Sequence, residues 1–245
     1  MSSLHGTFTW FELVCAEPEA ARTFHTQTLG WTATRIDVGG VGYPMLEASG
    51  APQAGIVSPR DEGPGHWSSY LWVDDVDARA AGVEAAGGRV LLGPVDISGV
   101  GRFALVADPQ GARFNLFRGL DEQGGSTDFH WNELWARDAE QVLPFYQRAF
   151  GFEVQPMQMP SGAYYVLKNA RGGQGGVMTS PEATLPPQWL PYVRLGDCDA
   201  AVDRARQRGA TMVSEPTTIE GIGRLAIVSD PFGALLGFIE PPAES

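Results

Sequence analysis

The chain has 245 residues, 43% of them hydrophobic and 19% charged, a balance that supports packed cores and excludes a disordered polypeptide. Its 17 Lys and Arg against 29 Asp and Glu leave a formal charge of −12, without the basic clusters that a phosphate backbone requires, so nucleic acid is excluded as a partner. No run approaches the roughly 18 consecutive apolar residues of a membrane span, and no charged segment leads into an apolar one at the start, so the expectation is a cytoplasmic protein with no membrane partner.

Thr7 to Cys15, rich in aromatic and β-branched residues, predicts a strand, and Glu17-Pro18-Glu19 then supplies the acidic residues and proline of a helix start. Gly30 ends that helix. Two short strands follow around Tyr43 to Ala48 and Gly55 to Ser58, separated by glycine-rich turns. Trp67 to Val73 reads as the next strand, and Asp77 is placed as the cap of a second helix that runs to about Ala86 and stops at Gly87-Gly88. Arg102 to Ala107 and Ala112 to Phe117 close the series, joined by a turn at Asp108-Pro109-Gln110-Gly111.

The same series then repeats. Trp10-Phe11-Glu12-Leu13 returns as Trp131-Asn132-Glu133-Leu134 at an offset of 121, and Gly101 to Gly111 returns as Gly223 to Gly233 at an offset of 122. Asp138 opens a helix with Val142, Phe145, Tyr146 and Ala149 at three- and four-residue spacings, ended by Gly151. Strands are expected at Tyr164 to Lys168, Gly176 to Thr179 and from Trp189 through Leu195, with a helix from Asp199 to Gly209. The one-residue difference in offset is placed in the Ala170 to Gly175 turn. A period near 120 greatly exceeds the 20 to 50 residues of solenoid repeats, so each copy is expected to bury its own core. The expected domains are 1–119 and 129–245, with 120–128 as a flexible linker. Cys15 and Cys198 occupy unmatched positions and are read as free thiols in a reducing compartment.

Each copy therefore reads as βαβββ followed by βαβββ. That order, the Asp-Pro-x-Gly turn before the last strand, and helices that end at Leu29-Gly30 and Phe150-Gly151 resemble the vicinal oxygen chelate superfamily. Glyoxalase I, bleomycin-resistance proteins, fosfomycin-resistance proteins and extradiol dioxygenases belong to it, and the match runs from Thr7 to Glu240. The resemblance implies an α+β fold of tandem domains, each made of two βαβββ modules that form a curved, cup-like mixed sheet.

It also implies where metal ligands would stand. The first-strand position falls at Trp10 and Trp131, the fifth-strand position at Ser68 and Leu190, and the last-strand position at Asn115 and Gly237. A divalent ion requires three or four His, Glu, Asp or Cys donors, so no metal and no other cofactor is expected. Glu12 and Glu133, two residues beyond the tryptophans and on the same strand face, are the candidate catalytic carboxylates, as bases or as ligands for a polar group. The opposing reading is two carboxylates bonded to neighbouring strand groups or to a partner such as Arg194. Parity adds Trp10, Ser68, Tyr70, Trp72, Arg113 and Asn115 in the first copy, and Trp131, Tyr192 and Arg194 in the second, as candidate ligand-binding residues. Of His5, His25, His66 and His130, only His66 and His130, ahead of strands, are candidates.

The leading functional expectation is a glyoxalase-like, bleomycin-resistance-like protein that binds or detoxifies a small organic molecule in a metal-free aromatic cup. The alternatives are a lyase, isomerase, dioxygenase or hydroxylase using Glu12 or Glu133 as a base or as a metal ligand alongside His66 or His130, and a noncatalytic module that assembles through its strand edges, as in a homodimer.

Overall fold

The computed structural model describes residues 4–38, 40–60, 63–121, 128–159 and 162–242. In the first copy the elements run β1 (Thr7–Val14), α1 (Pro18–Leu29), β2 (Thr32–Val38), β3 (Val41–Ala48), β4 (Ala51–Val57), β5 (His66–Trp72), α2 (Val76–Ala85), β6 (Arg89–Ile97), β7 (Gly101–Ala107) and β8 (Arg113–Gly119). The second copy supplies β9 (Phe129–Ala136), α3 (Ala139–Phe150), β10 (Glu153–Met159), β11 (Gly162–Asn169), β12 (Gly172–Thr179), β13 (Gln188–Arg194), α4 (Cys198–Gln207), β14 (Thr211–Ile219), β15 (Gly223–Ser229) and β16 (Leu235–Glu240). The βαβββ order holds in all four modules, and the fold is α+β. Among the described residues no helix is long and apolar enough to cross a membrane.

Each copy contributes one eight-stranded sheet. The orders are β2-β3-β4-β1-β5-β8-β7-β6 and β10-β11-β12-β9-β13-β16-β15-β14. Within each sheet the first strand of a module runs parallel to the last: Glu12 stands opposite Gly55, Tyr70 opposite Asn115, Glu133 opposite Gly176 and Tyr192 opposite Gly237.

These registers relocate the extra residue of the second copy. Val14 with Val57 corresponds to Trp135 with Met178 at an offset of 121, whereas Tyr70 corresponds to Tyr192 at 122. The insertion therefore lies between Met178 and Trp189, not in the Ala170 to Gly175 turn. The helix caps shift too. Asp75 accepts the Ala78 N–H at 3.0 Å and Asp197 accepts that of Ala200 at 2.9 Å, while Asp77 and Asp199 bind the guanidinium groups of Arg102 and Arg224. The expected linker falls for the most part on residues 122–127, outside the described residues.

The chain gathers into two compact units that do not follow the copies. One comprises Met1–Thr9, Ser68–Gly124 and Trp131–Trp189, and the other Trp10–Trp67, Gly125–His130 and Leu190–Ser245. The core of the first unit draws Leu71, Val83, Val106, Phe114 and Leu116 from the first copy and Leu134, Val142, Phe145, Tyr146 and Trp189 from the second into one buried cluster. The expectation of a self-contained core in each copy is therefore not what this cluster shows. Helix α3 supplies its share because Ala139, Val142, Leu143, Phe145, Tyr146, Ala149 and Phe150 repeat at helical spacing on one face. The core of the second unit centres on Phe129, stacked on Phe11 at 4.1 Å and met edge-on by Trp67 and Trp31.

A buried aspartate organises the Asp-Pro-x-Gly turn in each unit. Asp108 accepts the backbone N–H groups of Gln110, Gly111 and Ala112, and the Tyr146 hydroxyl of α3 donates to it at 3.0 Å. Asp230 accepts from Phe232 and Ala234, with His25 of α1 at 3.0 Å. His25 thus stands where the other copy has tyrosine, as a buried anchor of the turn. Both cysteines are free and buried.

Candidate functional site

Strand β1 alternates between a buried face, Thr9, Phe11 and Leu13, and a half-open one, Trp10, Glu12 and Val14. On the half-open face the indole Nε1 of Trp10 donates to the Tyr43 hydroxyl at 3.1 Å, and that hydroxyl donates to Glu12 Oε1 at 2.7 Å. Burial, and then the charge of Glu12, push the Tyr43 hydroxyl far above its ordinary pKa, so it remains a phenol and cannot serve as a base near neutrality. The chain accommodates this tyrosine with a glycine. A Cβ on Gly55, the residue opposite Glu12, would lie 1.7 Å from the Tyr43 hydroxyl oxygen.

The other unit contains the same arrangement from the second copy. Trp131 Nε1 donates to the Tyr164 hydroxyl at 2.7 Å, Tyr164 bonds to Glu133, and a Cβ on Gly176 would lie 1.7 Å from the Tyr164 oxygen. Two features differ. Trp135, where the first copy has Val14, donates its indole N–H to Glu133 Oε1 at 2.7 Å. Glu133 is also only 7% exposed and Tyr164 buried, whereas Glu12 and Tyr43 are half-buried. The carboxylate and tyrosine of the first copy are thus the less buried of the two sets, while Trp10 and Trp131 are both half-buried.

Asn115 Nδ2 donates to Ser68 Oγ at 2.7 Å in the unit that holds β5 and β8, and both side chains are buried. Tyr70 and Trp72 are buried beside them, each edge-on to Phe117, and the Arg118 guanidinium lies 5.4 Å from the Trp72 ring centre. Arg113 is exposed. In the other unit Tyr192 lies flat over Gly237, where a Cβ would come 2.2 Å from its ring, and Leu190, two residues before Tyr192, is fully buried. Arg194 is exposed, its backbone N–H bonded to the Asp128 carbonyl. His66 approaches the Pro64 carbonyl at 3.4 Å and His130 is exposed, so neither joins a cluster that the described contacts define.

Sequence reasoning found the tryptophans and glutamates but missed Tyr43, Tyr164, Gly55 and Gly176. The signal was present: each pair recurs at the same offset of 121 as Glu12 and Glu133.

Two family models match in tandem, a glyoxalase-like domain over residues 10–117 and the glyoxalase/bleomycin resistance protein/dioxygenase superfamily over 128–238. A protein named "Putative glyoxylase CFP32", from Mycobacterium tuberculosis (strain CDC 1551 / Oshkosh), is 32% identical over 96% of this chain and 95% of its own. The chain belongs to the glyoxalase/bleomycin resistance protein/dioxygenase superfamily. Another superfamily relative, the anthracycline biosynthesis protein DnrV of Streptomyces peucetius, is 31% identical over 96% of this chain and 93% of its own. Two solved structures share the superfamily fold. The Mn(II)-bound glyoxalase from Novosphingobium aromaticivorans superposes with a TM-score of 0.67 at 16% identity, over 98% of this chain and 83% of that one. The 2,3-dioxygenase LapB from Pseudomonas sp. KL28 gives 0.66 at 14%, over 99% and 97%.

The superfamily implies a metal, and the residues here do not fit one. The implied ligand positions hold Trp10, whose indole has no lone pair to give, Ser68 and Asn115, a neutral hydroxyl and amide bonded to each other, and Gly237, covered by Tyr192. Trp131 and Leu190 offer a divalent cation no donor either. Among the described residues, no group of three or more His, Cys, Asp or Glu side chains is gathered to hold an ion.

Proposed function

We propose that this protein binds, and thereby sequesters or detoxifies, a small organic molecule at the half-open face of β1, without a divalent metal at the superfamily's ligand positions. Trp10 supplies a flat apolar wall, and Glu12, oriented by the Tyr43 hydroxyl, recognises a polar group of the ligand. The observation that carries this reading is the contrast between the copies: in the same Trp-Tyr-Glu relay Glu12 is half-buried, whereas Glu133 is buried and takes a further bond from the Trp135 indole. Glu133 is accordingly a structural carboxylate. The name of the anthracycline biosynthesis relative supports a polycyclic aromatic as the first ligand class to test.

The test is a thermal-shift and fluorescence titration of the full chain with an anthracycline and, separately, with the glutathione hemithioacetal of methylglyoxal. The expected result is stabilisation by the aromatic ligand, with affinity reduced about tenfold or more by Trp10→Ala or Glu12→Gln. Glu133→Gln should lower the unfolding temperature and leave affinity unchanged. Loss of binding in Glu133→Gln alone would overturn the assignment to the first copy. Stoichiometric retention of Mn, Fe, Ni or Zn after metal loading and dialysis would overturn the metal-free reading.

A further inference from the structure

The two sheets end on four edge strands, β2 and β6 in one and β10 and β14 in the other. An open edge is a template for pairing with another chain, and proteins that remain apart blunt it. Three of these edges are blunted by proline inside the strand: Pro94 in β6, Pro156 in β10 and Pro216 in β14. Register shifts interrupt β6 between Leu92 and Val95 and β14 between Ser214 and Thr217. Strand β2, Thr-Ala-Thr-Arg-Ile-Asp-Val, contains no proline and pairs with β3 through seven consecutive positions without a shift.

The register with β3 shows which groups of β2 face outward. Arg35 stands opposite Pro44, which has no N–H to give, so this pair falls among those that do not exchange ladder bonds. The peptide groups of Arg35, and by alternation those of Ala33 and Asp37, therefore point away from β3. At the equivalent place in β10, offset by 121, stands Pro156, opposite Tyr165. The second copy has removed the outward donor that the first copy presents.

We propose that β2 is a self-complementary edge through which two copies of this chain pair antiparallel about Ile36. Only registers that set outward-facing residues opposite one another can form bonds. Centred on Arg35, the pairing sets two guanidinium groups face to face. Centred on Ile36, it places Arg35 opposite the second copy's Asp37, twice by symmetry, and Thr34 opposite the second copy's Val38. Opposite charges directly across a ladder stabilise it and like charges oppose it, so the charges select the Ile36 register. Ile36, 41% exposed in the single chain, then meets its own counterpart at the centre. Arg35 is available for this role because its pair with Glu19, at 3.5 Å, is exposed on both sides. Asp37 uses one oxygen on the Gly40 N–H, and the other remains for the guanidinium.

Sedimentation equilibrium of the full chain between about 1 µM and about 1 mM, the range of a small interface, tests this. The mass is expected to rise from 26.3 kDa towards twice that value. Asp37→Arg, which sets arginines opposite one another, should weaken the dimer at least about tenfold, and the exchange Arg35→Asp with Asp37→Arg should restore it. Arg35→Pro, which copies Pro156 of the second edge, should abolish it with an unchanged circular dichroism spectrum. A mass of 26.3 kDa at every concentration, a dimer indifferent to Arg35→Pro, or a charge exchange that fails to restore association would overturn the proposal. If Arg35→Pro does not fold, the charge series alone decides.

Discussion

At the scale of single residues, Gly55 and Gly176 carry more of the candidate site than their lack of a side chain suggests. Each lies directly under a tyrosine hydroxyl that links an indole to a carboxylate, with no space for even a methyl group. Gly55→Ala must therefore displace Tyr43 and break the Trp10–Tyr43–Glu12 relay. It should cost about 1–3 kcal/mol by urea unfolding and abolish the aromatic ligand's thermal shift. Gly176→Ala should cost at least as much stability, because Tyr164 is the more buried of the two, and leave ligand affinity intact.

Trp10 and Glu12 were legible because a duplicated motif fixes the strand and alternation fixes the face. Tyr43 and Gly55 were not, although they repeat as faithfully. The importance of a glycine lies in what crosses above it, and that depends on a cross-strand register that one strand's sequence does not contain. The misplacement of the helix caps has a similar origin. Asp74, Asp75 and Asp77 crowd one turn and all have the chemistry of a cap, but only Asp75 accepts the Ala78 N–H, while Asp77 is drawn to Arg102.

Among the elements, the Asp-Pro-x-Gly turn was recognised from sequence as a turn, but its role as a buried hub was not. Asp108 satisfies three backbone N–H groups and the Tyr146 hydroxyl, and burial raises its pKa despite these donors. Asp108→Ala strands those donors and should destabilise the protein by about 3 kcal/mol in chemical denaturation. The edge strands were the hardest to read. Strand β2 is partly or wholly exposed along its length, so no buried face imposes a hydrophobic alternation.

The segment before β1 brings an acid sensitivity. His5 contacts Asp74, and Arg79 bonds both oxygens of that carboxylate. The Arg79 bonds, aided by His5, hold Asp74 below its ordinary value, so its stabilisation is complete above about pH 3.8 and is lost as pH falls through the folded value. Burial lowers the pKa of His5, so the unfolded chain binds its proton more readily and stability declines as pH falls below 6.5. Both groups act in the same direction. Unfolding free energies measured between pH 7 and pH 4 should fall less steeply in His5→Ala than in the parent, and Asp74→Asn should flatten the limb below pH 4.

For the whole molecule, the decisive fact is that sheets follow the copies while compact units do not. The halves 1–119 and 129–245 are proposed domains on sequence grounds, but separating them removes partners from the core that Leu71, Phe114, Phe145 and Trp189 build together. Each half expressed alone should bind a hydrophobic dye and lack a cooperative melt, and an equimolar mixture should recover both the melt and the mass of the full chain. A half that melts cooperatively as a monomer would show instead that a copy is self-sufficient. The shared core also changes the role of the segment that joins the copies. A protease nick there should liberate no free piece: the fragments would stay clasped, and the intact join acts as a tether that keeps one half at high effective concentration near the other.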